Sequence, residues 1–483
     1  MSISRHTTYN IAGSIVPLAV TLLTVPAYLE VVGIERYGIL TVCWVLLGYL
    51  GFLDLGLAPA VAQKIASARD EEAGSAEAVF WTATWVSLAA GLFSALLFYA
   101  GAAAYLAFGG LVSAFDAEIR DAIPLLGAIL PVVMLSSVGA GALHGRQRFL
   151  ALNLIQVTSS TLMSVLPLVV AYFWLPTLSG LIIGALASRI VGLVLQYWNC
   201  LGALPLSGVQ TPKRELIGSL LKFGGWVTIS TAVSPLLVTV DRLAIGAILG
   251  AAAVAAYSIP FSLITRMAIV PGAVSSALFP RFASGTPQER GRLMAIAVFA
   301  IAVTMTPLCI LSLALVEPFF TLWLGRDLAA TSSPVASFLI VGAWTNSIAL
   351  VPFSMLQGSG RPDTVAKIHL VELLPYWLVL GGSLYLFGLV GAAIAWSLRT
   401  SADSLLLYWK SGMSFASIAP LVVPFLLLLT ALGGLAMGSP GRWVIWAGSF
   451  CLACLWSSYH LPDALREKLG FLGQVLPRRT IAD

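Results

Sequence analysis

Eight ionisable side chains sit inside long apolar runs: Asp54, Arg189, Asp241, Arg242, Arg266, Glu372, Arg399 and Asp403. A charge at the centre of a bilayer costs at least ~2.5–3.5 kcal/mol on insertion scales, so each must face other helices, a water-filled cavity or a ligand. Arg399 and Asp403 are spaced i, i+4, which lets one helix face pair them. With Glu372 and Arg189 they are expected to be structural charges between helices. Arg266 has no acidic residue within a helical turn on either side. Arg242 has only its neighbour Asp241, which points about 100° away round a helix. Arg242 and Arg266 are therefore the candidates for holding an anionic substrate. The planar arginine fork donates two parallel hydrogen bonds and suits a phosphate. Asp54 and Asp241 are candidate counter-ions or coupling groups in the same cavity.

No catalytic set accompanies these charges. The histidines His6, His144, His369 and His460 fall at loops or span ends and form no metal-ligand spacing. Cys43, Cys200, Cys309, Cys451 and Cys454 all lie in apolar runs. The Cys451-x-x-Cys454 pair has no His or acidic partner nearby and reads as packing rather than a metal or redox site. No Walker motif or glycine-rich nucleotide loop is present, so ATP is not the expected drive. The expectation is a protein that is not an enzyme, with no metal, no cofactor and no nucleic-acid partner.

The elements that position the charges follow from composition. Of 483 residues, 59% are hydrophobic and only 10% charged, against about 25% charged in soluble domains. That excludes a cytosolic enzyme, a disordered chain and a disulfide scaffold. Apolar runs of twenty or more residues, rather than alternating strands of ten, make the fold class all-α and polytopic. Fourteen spans are expected: Tyr9–Gly33, Tyr37–Gln63, Val79–Phe108, Ala122–Leu143, Phe149–Trp174, Leu178–Ala203, Phe223–Leu249, Ala252–Phe279, Leu293–Val316, Pro334–Leu356, Ala366–Phe387, Leu389–Trp409, Phe415–Met437 and Trp443–Leu461. Of the 26 Lys and Arg residues, only Arg36, Arg120, Arg326 and Arg442 then fall in outside loops. This is the positive-inside pattern, with both termini cytoplasmic.

The longest loop, near residues 205–222, divides the first twelve spans into six plus six. Span six carries Gly184-Ala-Leu-Ala-Ser-Arg189, and span twelve carries Gly391-Ala-Ala-Ile-Ala-Trp-Ser-Leu-Arg399. Spans two and eight each run from a glycine, Gly56 or Gly272, to a basic residue, Lys64 or Arg281. These matches suggest an internal duplication with parallel repeats. The expected organisation is an N-lobe at 1–204, a cytoplasmic connector at 205–222, a C-lobe at 223–410, two further helices at 411–462 and a cytoplasmic tail at 463–483. Gly180-x-x-x-Gly184, Gly246-x-x-x-Gly250 and Gly434-x-x-x-Gly438 would allow close helix packing. Pro17, Pro26, Pro235, Pro260 and Pro271 interrupt spans one, seven and eight, which with span two are expected to line a cavity and flex.

Several segments together resemble the Wzx-type oligosaccharide flippases, a branch of the multidrug/oligosaccharidyl-lipid/polysaccharide exporter superfamily. They are Leu53-Asp54-Leu55-Gly56-Leu57, Gly145-Arg-Gln-Arg148-Phe149, Asp241-Arg242-Leu-Ala-Ile-Gly246, Tyr257-Ser-Ile-Pro260, Phe279-Pro280-Arg281, Trp323-Leu-Gly325, Gly358-Ser-Gly-Arg-Pro-Asp363 and Gly388-Leu-Val-Gly391. The resemblance implies two six-helix lobes around a central cavity plus two C-terminal helices. It implies transport of polyprenyl-diphosphate-linked oligosaccharide units across the bacterial inner membrane by alternating access. The substrate and membrane lipids would be the partners, with a polysaccharide polymerase and a chain-length regulator as further ones, and the chain would act as a monomer. Asp54, Asp241, Arg242 and Arg266 match the charged cavity spans of that family; span one departs from it, with only Glu30 near its outer end. The rival readings are a drug/cation antiporter of the same fold, a lipid-precursor flippase for peptidoglycan, and a membrane polymerase or ligase. Intramembrane arginines argue against the antiporter, and the lack of reacting groups argues against the enzyme.

Overall fold

The computed structural model describes residues 3–50, 56–67, 73–107, 115–412, 418–438 and 440–461, with side chains for 16–47, 56–66, 76–104, 115–221, 240–412, 418–438 and 440–461. All the regular elements described are helical. They are α1 (Ile3–Leu50), α2 (Leu57–Ser67), α3 (Ala73–Ala107), α4 (Asp116–Gly145), α5 (Phe149–Phe173), α6 (Leu178–Ala203) and α7 (Arg214–Leu249). There follow α8 (Ala251–Ile264), α9 (Ile269–Ser284), α10 (Pro287–Leu324), α11 (Arg326–Gly358), α12 (Pro362–Lys410), α13 (Val422–Gly433) and α14 (Gly441–Tyr459). Apolar residues surround most of these helices on every side, the pattern of a segment in lipid or in a core. Ten described stretches are long and apolar enough to cross a membrane. Two of them, Val16–Leu47 and Pro362–Lys410, contain glycines with positive φ, Gly33 at 80° and Gly388 at 57°. An L-residue with a Cβ rarely adopts such a conformation, so these two glycines turn α1 and α12 each into a pair of arms. The expected spans Phe149–Trp174 and Leu178–Ala203 coincide with α5 and α6 almost to the residue.

The chain forms two compact units, Met1–Ala255 and Ala256–Asp483. In the first, α4 packs against α2, α3 and α6, while α5 lies on α1 and α6. Its core has two clusters. One joins Leu57, Ile65, Phe80, Leu143 and Cys200, and the other joins Tyr28, Leu40, Leu126, Leu130 and Leu181. α7 packs on α1, α2 and α3 and so belongs to this unit.

Close approach here depends on absent side chains. A Cβ on Gly141 would lie 2.4 Å from the Ala58 carbonyl oxygen, and one on Gly145 would lie 2.7 Å from that of Ala62. Gly141-x-x-x-Gly145 thus opposes Ala58-x-x-x-Ala62, the small-residue packing of membrane helices. Of the spacings expected to do this, Gly184 packs against Pro167, with only 2.5 Å for a Cβ, whereas Gly250 and Gly438 face open space. Gly141→Val is expected to push α2 off α4 at a cost of about 1–3 kcal/mol. Thermal unfolding in detergent should shift down accordingly, while Gly218→Ala, at an open position, should leave it unchanged.

The connector between α6 and α7 is tied down rather than free. The buried Glu77 carboxylate of α3 accepts the Ser207 N–H at 2.6 Å, the Gly208 N–H at 3.2 Å and the Ser207 hydroxyl at 3.0 Å. Thr82 Oγ1 accepts the Lys213 N–H at 3.1 Å, and Trp85 Nε1 donates to the Gln210 carbonyl at 3.1 Å. A carboxylate holding three donors is worth far more than one surface contact. Glu77→Ala should expose the 204–213 strap, read as faster cleavage there in limited proteolysis with cleavage elsewhere unchanged.

In the second unit, α11 is the helix against which α9, α10, α12 and α13 pack. Its small residues Ser332, Ser337, Ala336, Ala343 and Ser347 are almost wholly buried. Proline carbonyl accounting explains part of this packing. A proline leaves the carbonyl four residues earlier without its helical donor. Pro260 frees Ala256, whose carbonyl accepts Ser332 Oγ of α11 at 3.0 Å. Pro307 frees Val303, whose carbonyl accepts Ser457 Oγ of α14 at 2.9 Å.

Candidate functional site

The expected site residues divide between the two units, and each is placed by its own helix. Asp54 lies outside the described residues. Asp241 and Arg242 stand near the C-terminal end of α7 in the first unit. Asp241 has no exposed surface and Arg242 is 8% exposed. Helical geometry alone sends neighbouring side chains about 100° apart, yet these two touch. The Asp241 carboxylate folds over its own backbone, so that Oδ1 accepts the Arg242 N–H at 2.8 Å and lies 3.4 Å from Arg242 Nη1. The expectation that they diverge is corrected by this turn of the aspartate.

Arg266 belongs to the second unit. The continuous span expected from Ala252 to Phe279 is in fact α8 and α9 joined by a 3-10 turn at Thr265–Ala268, and Arg266 is in that turn. Pro271 removes the donor that would close the helix onto Met267, so the tighter i→i+3 pattern takes over there. Pro17 and Pro26, by contrast, leave α1 helical, and its break falls at Gly33. The Arg266 side chain is half-buried and makes no hydrogen bond or ion pair among the described residues. A guanidinium has five donors and cannot shed its charge, so this arrangement is suited to receive an anion.

Arg189 is exposed on α6, and its side chain makes no ion pair or hydrogen bond among the described residues. The remaining charges gather in α12. Its two arms fold back at Gly388, and a Cβ on Gly391 would meet the Ser383 carbonyl oxygen at 1.9 Å. This hairpin places Arg399 Nη1 3.7 Å from Glu372 Oε2, and His369 Nε2 3.6 Å from Asp403 Oδ1. Arg399 also lies over the Tyr376 ring, 5.6 Å from its centroid. The i, i+4 spacing of Arg399 and Asp403 suggested a pair along one helix; the observed partner of Arg399 lies across the hairpin. His369, read as a span-end residue, is inside the cluster and stacks on Phe353. Only the fold-back of the arms brings it there, and no local spacing signals it.

Two further ion pairs occupy loop-proximal positions. Arg36 grips Glu118 through Nε at 3.0 and 3.1 Å and through Nη2 at 2.7 Å. Glu118 also accepts the Leu178 N–H at the start of α6, at 3.0 Å. Arg442 pairs with Glu317 in the second unit. Among the described residues no group of three His, Cys, Asp or Glu side chains could hold a metal ion.

Comparison with known proteins places this arrangement. The profile of the family "Polysaccharide biosynthesis protein" matches residues 3–286. A Shigella flexneri protein named "Putative O-antigen transporter" is 30% identical over 416 residues, covering 85% of this chain and 97% of that protein. Among solved structures, the lipid II flippase MurJ in an inward closed conformation aligns at TM-score 0.69 with 12% identity, over 96% of this chain and 98% of that one. An inward-facing multidrug resistance MATE transporter aligns at TM-score 0.68 with 16% identity, over 83% of this chain and 97% of that one. All three are transporters or flippases by name. With fourteen α-helices and ten spans of membrane-crossing length among the described residues, and a family match over more than half its length, this chain belongs to the polysaccharide biosynthesis protein family.

Proposed function

We propose that this protein is an inner-membrane flippase for polyprenyl-diphosphate-linked oligosaccharide units, moving them by alternating access for surface polysaccharide assembly. Family membership and the O-antigen transporter relative support the class of cargo. The observation that carries the reading within the structure is Arg266: a half-buried cation in an apolar span, in a 3-10 break, with no ion-pair partner among the described residues. A diphosphate offers the anionic oxygens such a group needs, and the isoprenoid tail can stay in lipid while the head group crosses. In the first unit, Arg242, with Asp241 holding it in place, is a candidate diphosphate ligand in its own right. The halves 1–204 and 223–410 are the alternating lobes, 411–462 the appended helices, and both termini are cytoplasmic.

Expression in a bacterial strain deleted for its own O-antigen flippase tests the reading. Restored surface polysaccharide on gels supports it. Rescue of a peptidoglycan lipid-precursor flippase mutant instead, or efflux of cationic dyes without polysaccharide, overturns it in favour of the corresponding relative.

A further inference from the structure

The α12 hairpin holds a buried polar cluster to which the proposed function gives no role. Glu372 is 6% exposed and Asp403 7%. Neither oxygen of Glu372, nor Oδ1 of Asp403, takes part in a hydrogen bond with a described donor. The cations nearby stand too far off to supply one: Arg399 Nη1 is 3.7 Å from Glu372 and His369 Nε2 is 3.6 Å from Asp403, beyond the usual 2.7–3.2 Å. His369 and Glu372, three residues apart on one arm, meet Asp403 and Arg399, four apart on the other, and the two cross-arm pairs bring both carboxyls into one four-residue cluster. Two carboxylate oxygens attract only when one of them carries hydrogen.

Charge accounting gives the same answer. The groups facing the pair are Arg399 and His369, both on α12 itself. α11, packed against α12, has no Asp, Glu, Lys, Arg or His between Asp327 and Arg361 and presents Thr345 and Phe353 on this side. α8, which reaches α12 through Phe261 on Trp396, carries no Asp, Glu, Lys, Arg or His; its one titratable side chain is Tyr257. Two carboxylates therefore face one permanent cation in a site of low polarity, and an unmatched negative charge there is strongly disfavoured. One proton restores the balance.

We propose that Glu372 and Asp403 share one exchangeable proton, forming a proton-binding site that clasps the two arms of α12. Glu372 and Asp403 lie 16 and 15 residues from Gly388, toward the end of the hairpin away from the turn. Departure of the proton leaves two like charges facing each other and separates the arms at that end; its return closes them. The site stands independently of the flippase reading.

Infrared spectroscopy of the purified full-length protein in phosphatidylcholine nanodiscs at pH 7 tests it. The wild type is expected to show the carbonyl stretch of a protonated carboxylic acid, shifted in heavy water. In difference spectra that band should be lost in both Glu372→Gln and Asp403→Asn, because one carboxylate against Arg399 needs no proton. Arg399→Gln should roughly double it, since two carboxyls then face no permanent cation. Thermal unfolding identifies any variant that fails to fold, and the two amide variants carry the test without Arg399→Gln. A wild-type spectrum without the band, or a band of equal size in both folded amide variants, overturns the proposal.

Discussion

Arg266→Ala is expected to reduce polysaccharide export by about 10- to 100-fold while leaving the protein in the membrane at wild-type level. The magnitude follows from one charge-assisted contact to phosphate, worth about 1.5–3 kcal/mol. The direction follows from placement. The Arg266 guanidinium gives no hydrogen bond or ion pair to any described residue, so its removal breaks no internal pair and relieves a desolvation cost. Stability should hold or rise slightly. Arg266→Lys keeps the charge but loses the fork and should recover export only in part. Immunoblots normalise the amount of protein, and gels of surface polysaccharide read export. Normal export by a well-expressed Arg266→Ala protein would falsify the assignment of Arg266 to the diphosphate.

The opposite signature is expected at Asp241. Its carboxylate is fully buried against Arg242, itself 8% exposed. Removing the aspartate takes away the carboxylate against which Arg242 is buried, at about 3–5 kcal/mol. Asp241→Ala should therefore lower the unfolding temperature by about 10 °C in a unit of this size and reduce the steady-state protein level, with export falling in proportion. The double variant Asp241→Ala/Arg242→Met removes both charges and should regain most of the stability without regaining export. Equal losses of stability in the single and double variants would show that the pair is not the source. The two positions are thus separable: loss at Arg266 reads as function without stability, and loss at Asp241 reads as stability first.

The helices themselves were legible because lipid leaves the backbone a single means of satisfying its polar groups. The apolar run from Leu178 to Ala203 is α6, bound for bound. Glycine also marked fold-backs, since Gly388 closes one apolar run and opens the next. Less was visible wherever a side chain bonds outside its own helix. Nothing near Glu77 in sequence announces that it will hold Ser207 and Gly208, and nothing near Pro307 announces Ser457. Gly141 and Gly145 form a small-residue face as regular as the ones singled out, but only their position against Ala58 and Ala62 separates a packing surface from an incidental spacing.

For the charges the division is sharper. Which ionisable residues are sunk in apolar runs is a property of the chain, since hydrophobic length can be read residue by residue. Their partners are not, because a buried charge is matched by whatever group the tertiary fold brings within a few ångströms. Arg399 was one turn from Asp403 in sequence and met Glu372 across the hairpin instead; His369 joined Asp403 for the same reason. Periodicity governs contacts along one helix, whereas a fold-back at one glycine decides contacts between arms, and electrostatic matching in a low-polarity interior depends on the second.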